Sequence, residues 1–502
     1  SWNFYFHAGA FLMRRSKEPV LWSVRALAVS SALIAPISVA QAGNDWTGFY
    51  VGVGGGLAMA NHGLEFSNGP LVPPPPAFAI GLDGLGGDGE LFTLGVGADY
   101  QVSSRIVVGA FFDYDWMNVD TTLGGSISGL GAASASFGVD DMWSIGGRIG
   151  YLPTDRTLLF ISAGYSQANI SDMKFSVTGL GSGVLASVGN ASGYFIGGGA
   201  EIRLTDALSL KGEYRYNNFG SEDVTLLPGT ALAPLINGLV DTDLDAAVQT
   251  AKISLNYRFG AGHGSATVDD ASEPETFTSW TGFYLGAGGG YGMANHELEF
   301  GNGPLVPPPP AFSIGLDGLG GDGGILTLGL GADYQVKRDV VVGAFFDYDR
   351  TNIDTELRAA LDGLGGANLS FGVDRIWSLG GRIGYLPTPG TLLFVSAGYA
   401  RAEISDMTFN VSGLGSGVLG SMDDASGFFL GGGAEVRLTN ALSLKAEYRY
   451  NDFGSENVTL LPDIAPEING FVSTSMDPVV QTAKVTLNYR FNWDRPATEP
   501  LK

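Results

Sequence analysis

The chain has 502 residues, a formal charge of −24, no cysteine and 77 glycines. A chain this acidic has no basic stripe to neutralise phosphates, which excludes a nucleic-acid partner. No run of about 20 apolar residues lies beyond the N-terminal region, so helical membrane spans are excluded as well.

Residues 1–42 read as an upstream segment followed by an export leader. Met13 precedes Arg14, Arg15 and Lys17, a short apolar stretch follows over Leu27–Val39, and Ala40-Gln41-Ala42 has the small-x-small form of a cleavage site.

The remainder repeats itself. Trp46-Thr-Gly-Phe-Tyr returns at Trp280, an offset of 234, and NGPLVPPPPAF, VVGAFFDYD and GGRIGYLPT return at the same offset. The expected organisation is one unit over 43–259, a periplasmic linker over 260–279, a second unit over 280–491 and a tail over 492–502. The linker is acidic, small and Pro-containing, which suits a flexible connector.

Each unit contains eight runs with a period of two, the side-chain period of a strand. In the first unit they fall near Trp46–Ala58, Leu91–Val102, Arg105–Val119, Phe137–Leu152, Leu158–Ala168, Gly193–Leu204, Leu208–Asn217 and Val248–Phe259. Short connectors alternate with long ones, and the longest are placed at Asn61–Glu90 and Asn218–Ala247. The last run, QTAKISLNYRF, carries Ala251, Ile253, Leu255, Tyr257 and Phe259 on one face and Lys252 and Arg258 on the other. An apolar face ending in aromatics, backed by a charged face, suits a strand between lipid and a polar lumen. The fold class expected is all-β: a transmembrane antiparallel up-and-down β-barrel in two tandem eight-stranded units. A single sixteen-stranded barrel is the alternative, because Trp46 could pair with Phe259 or with Phe491 through the same residue types.

The inward faces collect the candidate site. In the first unit it comprises Asp99, Asp113, Asp115, Arg148, Glu201, Arg203, Lys211, Glu213, Arg215, Lys252 and Arg258. In the second it comprises Asp333, Asp347, Asp349, Arg382, Glu435, Arg437, Lys445, Glu447, Arg449, Lys484 and Arg490. Eight strands leave an interior just wide enough for side chains, which favours a paired plug. In a sixteen-stranded barrel the same charges would line water and set selectivity. Phe259 and Phe491 are the expected ends of the barrel-closing strands.

The Gly69–Gly89 stretch, with four consecutive prolines, is expected to be a stiff polyproline II surface loop. Asp83, Asp88, Asp317 and Asp322 match no calcium-loop spacing, so neither a metal nor another cofactor is expected. Of the four histidines, His7 lies upstream of the leader, His263 in the linker, and His62 and His296 at matching loop positions; with no H-E-x-x-H and no phosphate loop, no enzyme is expected.

The opening WTGFY, the GGRIGYL strand, the EYRYN strand and the terminal LNYRF resemble the eight-stranded outer-membrane surface proteins of Gram-negative bacteria. The resemblance extends to the opacity-protein-like group of outer-membrane immunogenic proteins found in alphaproteobacteria, and it covers nearly all of each unit. It implies an outer-membrane barrel with antigenic, sometimes porin-like, character. It also implies assembly through the barrel-insertion machinery that reads a terminal Phe. Here the chain departs from the pattern, since a tail follows Phe491 and the unit is doubled. Expected partners are outer-membrane lipid, lipopolysaccharide, the assembly machinery and an unidentified host or surface ligand. The expected role is structural and antigenic: bilayer anchoring and display of acidic loops, with adhesion or envelope integrity. The alternative is a porin passing small solutes.

Overall fold

A computed structural model describes residues 45–259 and 279–492, apart from 74–76, 308–310, 362–364 and 414. The expected export leader, most of the expected linker, the centre of each proline run and the residues after Asn492 lie outside the described residues.

The first copy contributes β1 (Gly48–Asn68), β2 (Phe78–Gln101), β3 (Ile106–Ile127), β4 (Gly131–Thr154), β5 (Thr157–Ile170), β6 (Met173–Val177), β7 (Gly181–Ser187), β8 (Gly189–Arg203), β9 (Leu208–Asp223), β10 (Thr225–Leu226), a short helix α1 (Ala233–Leu239) and β11 (Val240–Phe259). The second contributes β12 (Gly282–Asn302), β13 (Phe312–Lys337), β14 (Val340–Leu361), β15 (Gly365–Thr388), β16 (Thr391–Ile404), β17 (Met407–Val411), β18 (Gly415–Met422), β19 (Ala425–Arg437), β20 (Leu442–Asp452), β21 (Glu456–Leu460) and β22 (Val472–Asn492).

At one end each copy closes on itself. The first ring is β1–β2–β3–β4–β5–β8–β9–β11, sealed by Phe49 opposite Phe259. The second is β12–β13–β14–β15–β16–β19–β20–β22, sealed by Phe283 opposite Phe491. These are two eight-stranded barrels. Their outer faces expose Val51, Leu94, Val96, Phe112, Ile145, Ile161 and Ile253. Two groups of ring contacts, Phe92–Trp116–Tyr114 and Phe112–Trp143–Tyr165, lie toward one rim, with centroids 4.6–6.1 Å apart. Tyr257 and Phe259 meet at the other. An apolar band between aromatic girdles is the outer wall of a membrane-spanning barrel.

Above the band the pairing changes. The strands continue, but β2 leaves β3 after Asp88 opposite Asp120. Its segment from Phe78 to Asp83 pairs with Leu361 to Glu356 of β14. By the same exchange, Phe312 to Asp317 of β13 pairs with Ile127 to Thr122 of β3. The result is one sixteen-stranded collar: β1–β2–β14–β15–β17–β18–β21–β22–β12–β13–β3–β4–β6–β7–β10–β11. The ring closes through the Val224 N–H on the Thr242 carbonyl at 2.7 Å. Both alternatives read from the sequence are thus realised at different heights: eight plus eight strands in the membrane band, sixteen above it.

The chains cross on a local two-fold. A Cβ on Gly86 would lie 2.8 Å from the Gly320 Cα, and one on Gly320 would lie 2.8 Å from the Gly86 Cα. Gly84 and Gly318 have φ of +103° and +102°, which side-chain-bearing residues avoid. Asn61 Nδ2 donates to Asp322 Oδ1 at 2.8 Å, and Asn295 Nδ2 donates to Asp88 Oδ1 at 3.0 Å. Lower down, Tyr216 meets Tyr291 edge-on at 5.3 Å, and the Thr157 and Thr391 hydroxyls are 3.1 Å apart. Met59, Met293, Ile202 and Val436 point outward by strand alternation, yet they are buried. Their direction and lack of exposure place them in the contact between the barrels.

Two sequence expectations are corrected here. The Gly69–Gly89 loop is mostly strand: only residues 69–77 connect β1 to β2. The connector's base is tied down, with Leu71 N–H on the Gly238 carbonyl of α1 at 2.7 Å. The other long connectors shrink in the same way, because β3, β4, β9 and β11 run on past the runs assigned to them. The physical reason is an inversion of polarity. On β11 the outward residues pass from Ile253 and Ala251 to Asp245, Asp243 and Asp241, while the inward ones pass from Lys252 and Arg258 to Val248, Ala246 and Leu244. Alternation persists, but its sense reverses where lipid gives way to water.

Candidate functional site

The inward charges form two tiers in each membrane-band lumen. In the first barrel the tier nearer the chain start is built on Arg148 of β4. Its Nε and Nη2 hold Asp99 Oδ1 and Oδ2 at 2.9 and 2.6 Å, and its Nη1 holds Glu201 Oε2 at 2.7 Å. Arg258 of β11 shares both acids, with Nη2 2.8 Å from Asp99 Oδ2 and 3.5 Å from Glu201 Oε1. Glu201 also accepts from Ser209 at 2.5 Å and Asn256 at 3.1 Å. The Trp46 indole seals this end. Arg203 and Arg258 lie over its ring at 4.6 and 5.2 Å, and its Nε1 donates to the Asp155 carbonyl at 3.0 Å.

The second tier centres on Glu213 of β9. It receives Arg215 Nε and Nη2 at 2.8 Å each, Lys211 Nζ at 3.0 Å and the Ser162 hydroxyl at 2.8 Å. Arg215 also reaches Asp113 at 2.5 Å, and its guanidinium sits between the Phe111 and Phe195 rings at 4.7 and 4.8 Å. Lys252 joins Asp115 at 3.0 Å and Asp113 at 3.6 Å.

The second barrel repeats this. Arg382 bridges Asp333 and Glu435 at 2.6 and 2.7 Å, and Arg490 joins the same two acids at 2.8 and 3.2 Å. Arg437 lies over Trp280 at 4.6 Å. Arg449 holds Asp347 and Glu447, Lys445 holds Glu447 at 3.1 Å, and Lys484 holds Asp349 at 2.7 Å. The structure buries all the lumen residues singled out in the sequence, and it gathers each barrel's set into these two tiers, with Arg203 and Arg437 stacked over the Trp46 and Trp280 rings.

What sequence reasoning missed lies above the charges. The collar half over the first barrel is filled by Leu64, Leu85, Val119, Phe137, Val139, Phe219, Leu244 and Val248. The half over the second is filled by residues including Ile353, Val373 and Phe453, continuing into Phe371, Met407, Val458 and Met476. The signal was present as reversed alternation. Each lumen is therefore closed twice in series, by paired charge and then by a buried apolar layer.

His62 stands in that layer, fully buried, its ring 5.1 Å from Phe137 and both its nitrogens without a hydrogen-bond partner; His296 repeats this against Phe371 at 5.2 Å. An unsatisfied buried polar group costs stability. His62→Leu should raise the urea midpoint of the refolded protein, by about 1–3 kcal/mol of stability. A lowered midpoint would mean that the ring makes a bond it lacks here.

The collar's outer wall is acidic on the first copy. Asp243 of β11 faces Glu65 of β1 and Asp223 of β9. Partial burial, then the neighbouring Asp241, Asp223, Glu65 and Asp245 carboxylates, raise its carboxyl above the usual value. Ser473 and Ser475 take the corresponding places on the second copy.

Several known proteins are similar to this chain. A family model described as outer membrane protein beta-barrel domain matches twice, over residues 26–259 and 271–491. The 31 kDa outer-membrane immunogenic proteins of Brucella melitensis biotype 1 and Brucella suis biovar 1 are each 28% identical over 253 residues, which is 49% of this chain and 99% of theirs. Among solved structures, the Pseudomonas putida toluene transporter TodX aligns over 88% of this chain and 90% of its own at 12% identity and a TM-score of 0.26. The attachment invasion locus protein Ail of Yersinia pestis aligns over 42% of this chain and 99% of its own at 14% identity and a TM-score of 0.21. With both halves matched by one family model and each half closing as a barrel, the chain belongs to the outer-membrane protein β-barrel family.

Proposed function

We propose that this chain is a non-conducting outer-membrane surface protein: twin barrels anchor it, and their shared collar displays a rigid acidic face to the outside. The reading is carried by one observation, the double closure of each lumen by buried ion pairs and an apolar layer. A water-filled pore needs lumen charges that face water; here Arg148, Arg215, Glu201 and Glu213 are at most 5% exposed. Display also suits the hairpin tips, where Leu130 and Leu180 are 80% and 87% exposed. The immunogenic character named in the Brucella relatives fits a protein recognised through such a face.

Single-channel recording in a planar bilayer tests the reading. The refolded protein, with folding checked by heat-modifiable migration, should give no conductance steps. Large reproducible steps would overturn the closed-lumen reading in favour of a porin.

A further inference from the structure

The two barrels differ at one level of their outer walls. Arg350 of β14, Arg375 of β15 and Arg401 of β16 stand where the first barrel has Trp116, Asp141 and Gln167. All three arginines point outward and are exposed. Arg350 and Arg375 are direct cross-strand partners, and Arg401 faces Trp377. Like charges placed opposite each other across antiparallel strands are destabilising unless something lies between them.

Internal partners do not absorb this charge. Among the described residues no carboxylate pairs with Arg350. Arg375 pairs with Glu403, and Arg401 pairs with Asp424 at 2.9 Å, but these four side chains are 39–48% exposed. Pairs so exposed contribute little and yield to a stronger acceptor.

The height of the cluster identifies that acceptor. Tyr348 lies next below Arg350 on the outward face of β14, and Trp377 lies next below Arg375 on β15. Trp377 packs against Tyr399 at 5.4 Å. Aromatic girdles sit at the headgroup level of a bilayer. The guanidinium groups therefore stand where outer-leaflet headgroups carry their phosphates, and a guanidinium fork matches a phosphate in a bidentate way. At the same level the first barrel presents Asp141 where the second has Arg375, and this carboxylate would repel one; the nearby Asp120 and Asp140 recur as Asp354 and Asp374 and do not distinguish the barrels.

We propose that Arg350, Arg375 and Arg401 form a phosphate-binding site for the phosphorylated glycolipid headgroup of the outer leaflet, carried by the second barrel and absent from the first. The site rests on placement in the outer membrane and is independent of whether the lumens conduct.

The test uses the full refolded chain in phosphatidylcholine vesicles containing either bis-phosphorylated or dephosphorylated lipid A. Binding is read by co-isolation of the glycolipid with the protein. The wild type should retain the phosphorylated form about tenfold better, the gain expected of charge-assisted bidentate contacts. The triple variant R350W/R375D/R401Q should lose the preference. It carries the first barrel's own residues on equivalent strands, so the backbone already tolerates them. Arg350→Ser alone, which breaks no ion pair, should reduce the preference several-fold and serves if the triple variant misfolds. An unchanged preference in a folded variant would overturn the site. Displacement of lipid A by millimolar inorganic phosphate would overturn the headgroup as its source in favour of a soluble anion.

Discussion

Replacing Glu213 by glutamine should cost the first barrel about 3–5 kcal/mol, the usual penalty for stranding buried charges. Glu213 is the common acceptor for Arg215 and Lys211, and Ser162 leans on it as well. Without it two buried cations are left to share Asp113, which Lys252 also approaches at 3.6 Å. The measurement is the urea midpoint of the refolded protein, followed by heat-modifiable migration. Glu222→Gln on the collar is the control and should shift stability by no more than about 0.5 kcal/mol. A double-mutant cycle separates pairing from burial. Lys252→Met alone leaves Asp115 buried without its 3.0 Å partner and should be strongly destabilising. Lys252→Met with Asp115→Leu removes both charges and should recover most of that loss. Equal losses in the single and double variants would show that the tier stabilises through packing and not through charge pairing. The apolar layer above is untouched by these changes, so the variants should remain electrically silent while folded.

A second large effect is expected at the seam between the copies. Ile80 of β2 lies opposite Ala359 of β14, and the chain has no cysteine of its own. Directly opposed residues of an antiparallel pair have Cα atoms about 4.5–5.5 Å apart, within disulfide range. Ile80→Cys with Ala359→Cys should therefore cross-link in nearly every molecule under mild oxidant. Ile80→Cys with Gly125→Cys should not, although Gly125 is the position on β3 that would face Ile80 if the first copy closed its own collar. The reverse pattern would mean two independent barrels along their whole height. Gly86→Val with Gly320→Val, added to the first pair, should abolish the cross-link, since each new Cβ would meet the other strand's backbone at 2.8 Å. The barrels below should persist, because their rings close through β1 with β11 and β12 with β22.

The collar gives the tandem repeat a physical meaning. Two linked copies hold each other at high effective concentration, and here they exchange strand partners at the surface. An open seam between β2 and β3 would leave unpaired edges, which proteins avoid because such edges recruit other chains. Exchange with β13 and β14 leaves neither seam open, and the Asn61–Asp322 and Asn295–Asp88 bonds sit beside the crossing. Asp88 and Asp322, conspicuous in the sequence as acids in a glycine-rich stretch, are engaged there by asparagines of the other copy.

Much of this was legible in the residues alone. Strand alternation is a local property, so the faces of β3, β4, β9 and β11 within the membrane band, and the lumen charges they carry, could be read directly. Strict alternation makes side-chain direction independent of what the strand pairs with. The doubling was equally plain, because the copies share long identical stretches. Three things were decided only by tertiary structure. The strands continue past the membrane because alternation reversed its sense at Gln249 and Trp116, and polar outward residues there resemble a loop until something apolar fills the inside. The apolar layer holding Phe137, Val139 and Leu244 exists only when strands distant in sequence bring those side chains together. The partner of Phe78–Asp83 could not be read locally either, since β3 and β14 are copies of one element. Which of them pairs with β2 depends on where glycines allow two backbones to cross, a property of the folded pair and not of any single segment.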